Sequence, residues 1–200
     1  VSMTQYFFGV QGDFSVAFFA FFGTVVGYNF VKYDTIARLN RTQIKKELKT
    51  IVFLSFISLL ACFYFFTQLS WMSKVSAFAF FGLTLLYTLP FFPNKQNARN
   101  WKGVKIYIVG ITWVGVTVIL PLVEAEIPFS KDVFLMALQR FLLIFSMVLV
   151  FDIVDVKEDD IHLQTVPQKI GVELTKKLGY ALLLLLLISE FFFTNHHHFL

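Results

Sequence analysis

The chain has 200 residues, 57% hydrophobic and 15% charged, with 27 phenylalanines and a net charge of +4. A mean hydropathy of +0.70 excludes an ordinary soluble domain. The single cysteine, Cys62, excludes a disulfide framework, and the basic residues lie between apolar segments, which argues against a nucleic-acid binder.

Six apolar segments follow one another: Phe14–Val31, Ile51–Leu69, Val75–Phe92, Ile106–Val123, Val133–Phe151 and Leu178–Thr194. Each is long enough to cross a hydrocarbon core of about 30 Å. The spacing therefore predicts an all-α, polytopic bundle of about six membrane helices forming a single domain over residues 1–200. No basic region opens the chain and Asp13 interrupts the first apolar stretch, so no cleavable signal peptide is expected. The first segment carries Gly23 and Gly27 at four-residue spacing, a pattern that lets helices approach closely and that simple packing accounts for.

The connections differ in charge. The first holds Lys32, Arg38, Arg41, Lys45, Lys46 and Lys49, whereas the second holds only Lys74. The third holds Lys95, Arg99, Lys102 and Lys105, and the fourth only Lys131. The fifth holds Lys157, Lys169, Lys176 and Lys177. Basic residues concentrate on the cytoplasmic side of membrane proteins, so the odd connections are predicted to face the cytoplasm and both termini to face out.

Polar residues within the segments are few. Gln139 and Arg140 sit about a third of the way along the fifth, where structural pairing or interfacial anchoring competes with a functional role. Glu190 lies near the outer end of the last segment. His196, His197 and His198 read as an interfacial end in preference to a metal tract. Trp71, Trp101 and Tyr107 flank segment ends, as an aromatic belt does.

The most chemically suggestive stretch is Phe145 to Gly171. Here an apolar run breaks into Asp152, Asp155, Glu158, Asp159 and Asp160. On a continued helix Asp152, Asp155 and Asp159 would fall within about 60° of one another, with Glu158 off to the side beyond Asp155. Clustered carboxylates at the end of an apolar helix repel one another and resist desolvation. A divalent cation relieves both, and Mg²⁺ carrying a substrate phosphate suits hard oxygen ligands. The competing reading is an acidic, solvated loop that ends a membrane helix.

These residues resemble the second aspartate-rich motif of the UbiA-type intramembrane prenyltransferases, written D-x-x-D-x-x-x-D and followed by T-L-P-x-x-L-G. Asp152, Asp155 and Asp159 match the first part; Thr165, Val166, Pro167, Ile170 and Gly171 match the second. LYTLPFF and WVGVTVILPL also resemble family segments. The resemblance implies a nine-helix fold of which this chain spans the second helix onward, without the first and the last two. It also implies Mg²⁺ held by Asp152, Asp155 and Asp159 and bridging the diphosphate of a polyprenyl donor. Ionisation would give an allylic cation for a lipophilic or aromatic acceptor to attack. Lys95, Arg99, Lys102 or Lys105 would contact diphosphate oxygens, and Asn29 would lend an amide. The implied location is a prokaryotic inner membrane, with the acidic motif cytoplasmic. One departure stands out: aligned on Asn29, the acidic positions of the family's first motif hold Phe30, Tyr33 and Ala37, and Asp34 misses the register by one.

Four function classes come into question. The first is a Mg²⁺-dependent prenyltransferase; the second is a catalytically impaired relative that binds a lipid diphosphate or acts as a scaffold. A channel or transporter is disfavoured because the carboxylates sit at a helix end, and a CDP-alcohol phosphotransferase because D-G-x-x-A-R is nowhere in the chain. The charge asymmetry yields a direct test. With Cys62 replaced by Ala, single cysteines at Asn97 and Glu126 should react with an impermeant reagent from opposite faces of the membrane. Labelling of both from one face would refute the topology.

Overall fold

A computed structural model of the protein describes residues 1–10, 14–39, 46–89, 103–157 and 164–193; the side chains of 31–39, 46–48 and 105 are outside that description. The elements are α1 (Ser2–Phe7), α2 (Ser15–Leu39), α3 (Lys46–Gln68), α4 (Trp71–Thr88) and α5 (Lys105–Val114). A π-helical turn, Gly115–Ile119, joins α5 without a break to α6 (Leu120–Glu124). There follow α7 (Lys131–Val154), α8 (Val166–Ile170) and α9 (Val172–Glu190). Among the described residues there is no strand.

Three stretches are long and apolar enough to cross a membrane: Lys49–Gln68, Ile106–Glu124 and Lys131–Val154. Ser15–Phe30 is apolar but shorter. The remaining two predicted segments are helical but more polar. Helix α4 includes Ser73, Lys74 and Ser76, and α9 opens with Glu173, Lys176 and Lys177. Only 6% of the apolar window of α3 is buried, so its outward face (Phe53, Phe56, Leu60, Phe63) needs an apolar surrounding.

Helices α2 and α3 form a hairpin packed chiefly on itself, while α7 packs against both α5 and α9. Aromatic stacking of Phe18 and Phe22 on Phe65 fills the hairpin seam. At one end of α7, Val133 and Met136 join Phe7, Val118, Leu122 and Phe193 in a buried cluster. At the other end, Val148 and Leu149 pack with Ile106. Side-chain caps set two helix starts. The Ser130 hydroxyl accepts from the Val133 N–H at 3.3 Å, and that of Ser70 from the Ser73 N–H at 3.3 Å. The Glu124 carboxylate accepts the Ser70 N–H at 3.0 and 3.1 Å, placing an anion at the positive end of α4.

The π turn has an identifiable cause. Pro121 has no N–H, so the carbonyl four residues earlier, Thr117, lacks its α-helical partner. The N–H of Leu120 instead reaches back five residues to Gly115. Helix α1 supplies the missing donor: the Thr4 hydroxyl, fully buried, donates to the Thr117 carbonyl at 2.8 Å. Gly115 admits the Phe80 ring here, since a Cβ would come within 2.2 Å of it.

Thr4→Val keeps the shape and removes that donor. It should lower the unfolding free energy in detergent by about 1–3 kcal/mol, the usual effect of an orphaned buried acceptor. In a Pro121→Ala background, which restores an N–H to the helix, the same change should have less effect. Equal effects in both backgrounds would show that Thr4 does not compensate for the proline.

Candidate functional site

The acidic end of α7 is built on its apolar pairing with α5 and α9. Val148 and Leu149 are buried against Ile106 and next to Val166, Leu178 and Leu182. Residues three and four further along a helix share its face, which carries Asp152 inward, to 2% exposure. The neighbouring acid behaves differently. Asp155 is the C-cap of α7, with φ −88° and ψ 1°; its N–H donates to the Phe151 carbonyl at 2.9 Å, and its side chain is exposed.

Helix α7 therefore stops at Val154. The helical periodicity that groups Asp152, Asp155 and Asp159 on one face ends with it. Helix α7 carries Asp152 within its last turn and Asp155 at its cap, whereas Asp159, with Glu158 and Asp160, lies outside the described residues. Carboxylates in this position face the negative end of the helix dipole, an unfavourable interaction of about 0.3–1 kcal/mol each that a cation would reverse.

The TVPQKIG stretch returns to this end. Thr165 caps α8, and the Gln168 side-chain oxygen accepts the Thr165 N–H at 2.9 Å. Pro167, in the first turn of α8, is buried, and Val166 packs beside Leu149. Gly171 joins α8 to α9 with φ +82° and ψ 158°, a backbone conformation essentially restricted to glycine. Lys169, Lys176 and Lys177 are exposed on the same end. A hydrogen bond at 2.9 Å from Lys176 to Glu173 holds the ammonium above the ordinary lysine range.

The other expected residues divide. Lys105 opens α5 next to Ile106, so its backbone reaches the Asp152 end of the bundle. Lys95, Arg99 and Lys102 lie outside the described residues, as do Trp101 and His196–His198. Asn29 is tied into the α2–α3 hairpin. Its amide nitrogen donates to the Ser55 hydroxyl at 2.8 Å, and that hydroxyl donates to the Ile51 carbonyl at 2.8 Å.

Aromatic side chains lie along α5 and α7 on the side of Asp152 nearer the start of α7. Tyr107, Phe141 and Phe145 cluster with ring centroids 5.8 to 6.5 Å apart. Phe141 also lines an open apolar cleft of about 250 Å³, together with Phe80, Ile111, Val114, Gly115 and Phe134. Phe145 lies seven residues, about two turns, before Asp152.

No group of three or more His, Cys, Asp or Glu side chains with metal-binding proximity occurs among the described residues. Asp152 and Asp155 nonetheless supply the donor chemistry that Mg²⁺ takes, one or two carboxylates completed by substrate phosphates. Sequence reasoning missed two polar contacts on the α7 flank. Gln139 donates to the Glu190 carboxylate at 2.9 Å, and an Arg140 guanidinium nitrogen lies 4.0 Å from the Met3 sulfur. Both pairings join positions far apart in sequence, so no local pattern announces them.

No family model, curated protein or solved structure matches this chain significantly. The UbiA-type resemblance rests on the motif residues.

Gly171→Ala tests whether the α8–α9 junction depends on that backbone conformation. It should lower stability by about 1–3 kcal/mol, read as a lower unfolding midpoint, while Gly179→Ala, within α9, leaves stability unchanged or slightly raised. Equal responses at both positions would remove the special role of Gly171.

Proposed function

We propose that this chain is a UbiA-type integral membrane protein that binds a polyprenyl diphosphate and transfers its prenyl group to a lipophilic or aromatic acceptor. Six membrane crossings, with the acidic end of α7 cytoplasmic in a prokaryotic inner membrane, complete the reading. The observation that carries it is Asp152, a carboxylate buried at the end of a helix apolar enough to cross a membrane, beside the returning Thr165–Gly171 element.

The residues divide the work by chemistry. Asp152 and Asp155 present oxygen donors at the membrane boundary, joined in this proposal by Asp159. Mg²⁺, when bound, supplies positive charge that stabilises the departing diphosphate. Lys95, Arg99, Lys102 and Lys105 are the candidate contacts for phosphate oxygens. The Tyr107–Phe141–Phe145 cluster and the cleft beyond it give a prenyl tail an apolar lodging and keep water from a developing allylic cation.

A second reading, binding without turnover, has its own observation. Phe30, Tyr33 and Ala37 stand at the acidic positions of the first motif, and Asn29 already donates its amide to Ser55. With one carboxylate cluster in place of two, the chain binds the diphosphate but lacks the second set of ligands that turnover requires.

The test is binding and transfer of a labelled polyprenyl diphosphate by the purified chain, with and without Mg²⁺. Asp152→Asn and Asp155→Asn should each weaken Mg²⁺-dependent binding by about tenfold or more, and Glu173→Gln, at an exposed position, should not. Binding without transfer selects the second reading. Binding indifferent to Mg²⁺, or equal small effects of all three substitutions, returns this end of α7 to a solvated acidic cap.

A further inference from the structure

Arg140 is a charged group within a helix apolar enough to cross a membrane, and the proposed chemistry does not use it. It lies nine residues into α7, about 14 Å along an axis of about 36 Å. If α7 is centred in a hydrocarbon core of about 30 Å, the Arg140 backbone sits roughly 10 Å inside the nearer edge. Side chains lean toward the N-terminus of their helix, so Arg140 leans toward the Lys131 end, which is that nearer edge. A long cationic side chain at this depth extends to the headgroup level.

Among the described residues no carboxylate answers its charge. Arg140 is half-buried, its guanidinium lies 4.0 Å from the Met3 thioether, and no carboxylate of the described residues is within ion-pair distance. Glu190 is engaged by Gln139 at 2.9 Å. Successive residues on a helix point about 100° apart, so Gln139 holds that carboxylate round α7 from Arg140. Glu124, near the same end, accepts from the Ser70 N–H. Among the described residues no carboxylate pairs with Arg140, and the headgroup level is the depth where lipid phosphates lie. A guanidinium fork matches a phosphate with two parallel hydrogen bonds, as a lone ammonium does not.

We propose that Arg140 is the phosphate-binding residue of a lipid site on the flank of α7, beside Met3 of α1, taking the headgroup phosphate of a membrane phospholipid. The site rests on α7 crossing the bilayer and is independent of prenyl transfer.

The full chain is reconstituted into vesicles of phosphatidylglycerol or of a glucosyl diacylglycerol without phosphate, then extracted, and bound phospholipid is quantified. Wild type should retain phosphatidylglycerol through detergent washing. Arg140→Gln should lower retention about tenfold or more, Arg140→Lys should fall between, and Leu138→Ala, on the same helix, should match wild type. Retention unchanged in Arg140→Gln overturns the site. Release of the lipid by millimolar inorganic phosphate overturns the lipid assignment, since the group would then bind free phosphate. Should Arg140→Gln fail to fold, wild type alone decides: its unfolding midpoint must be higher in phosphatidylglycerol than in the glycolipid, and equal midpoints overturn the proposal. Resistance of the wild-type chain to alkaline extraction reports separately on the membrane reading itself, so the two failures are distinguishable.

Discussion

The hydrogen bond from Thr4 to the Thr117 carbonyl is the contact on which one whole end of the bundle depends. Pro121 removes an amide from the last turns of an apolar helix, and a carbonyl left without a donor is costly where no water reaches it. The chain absorbs the defect in two linked ways: a π turn that resets the register, and a short helix brought in from far away in sequence to donate a hydroxyl. Phe7, one turn beyond Thr4 on α1, then joins Val118 and Met136, so the polar repair also seals the apolar cluster at that end. Gly115 lies in the same turn and lets Phe80 of α4 close on it.

At the opposite end the balance of forces is reversed. Leu149 and Val148 fix α7 against α5 and α9, and that apolar register turns Asp152 inward. Desolvating a carboxylate is unfavourable, and the nearby end of the α7 dipole adds to the penalty. A protein retains such a group where a cation or a donor compensates for it. The return of α8 to this end makes the neighbourhood partly enclosed, with Pro167 buried and Lys169 outside.

Much of this is legible in the sequence, and the rest is not, for physical reasons. The apolar run Val133–Phe151 identifies α7, and Ser130 at the N-cap with Asp155 at the C-cap account for its longer observed extent. The stop at Val154 is hidden because Asp152 to Asp160 contains no glycine or proline to mark a helix end. Helix α1 is invisible: six residues do not hold a helix on their own, and its stability comes from Thr4 and Phe7 contacting distant residues. The sequence sets the acidic motif at the end of α7, but α7 itself organises only Asp152 and Asp155. The family resemblance implies that Asn29 lends an amide to the diphosphate, yet its hydrogen bond in the fold is to Ser55, a partner that only the folded hairpin reveals.

That hairpin has a consequence for how the chain is made. Helices α2 and α3 satisfy one another through Asn29 and Ser55, through the Phe18–Phe65 stack, and through the close approach at Gly23, where a Cβ would stand 3.6 Å from the Cys62 sulfur. All of these contacts fall between residues 15 and 68, before α4 begins. The pair can thus assemble during synthesis, while the ribosome is still elongating the remainder. Residues from α4 onward then pack on that pair, and the later part meets the earlier where Leu120 packs against Val16 and where Thr4 and Phe7 of α1 reach Thr117 and Val118.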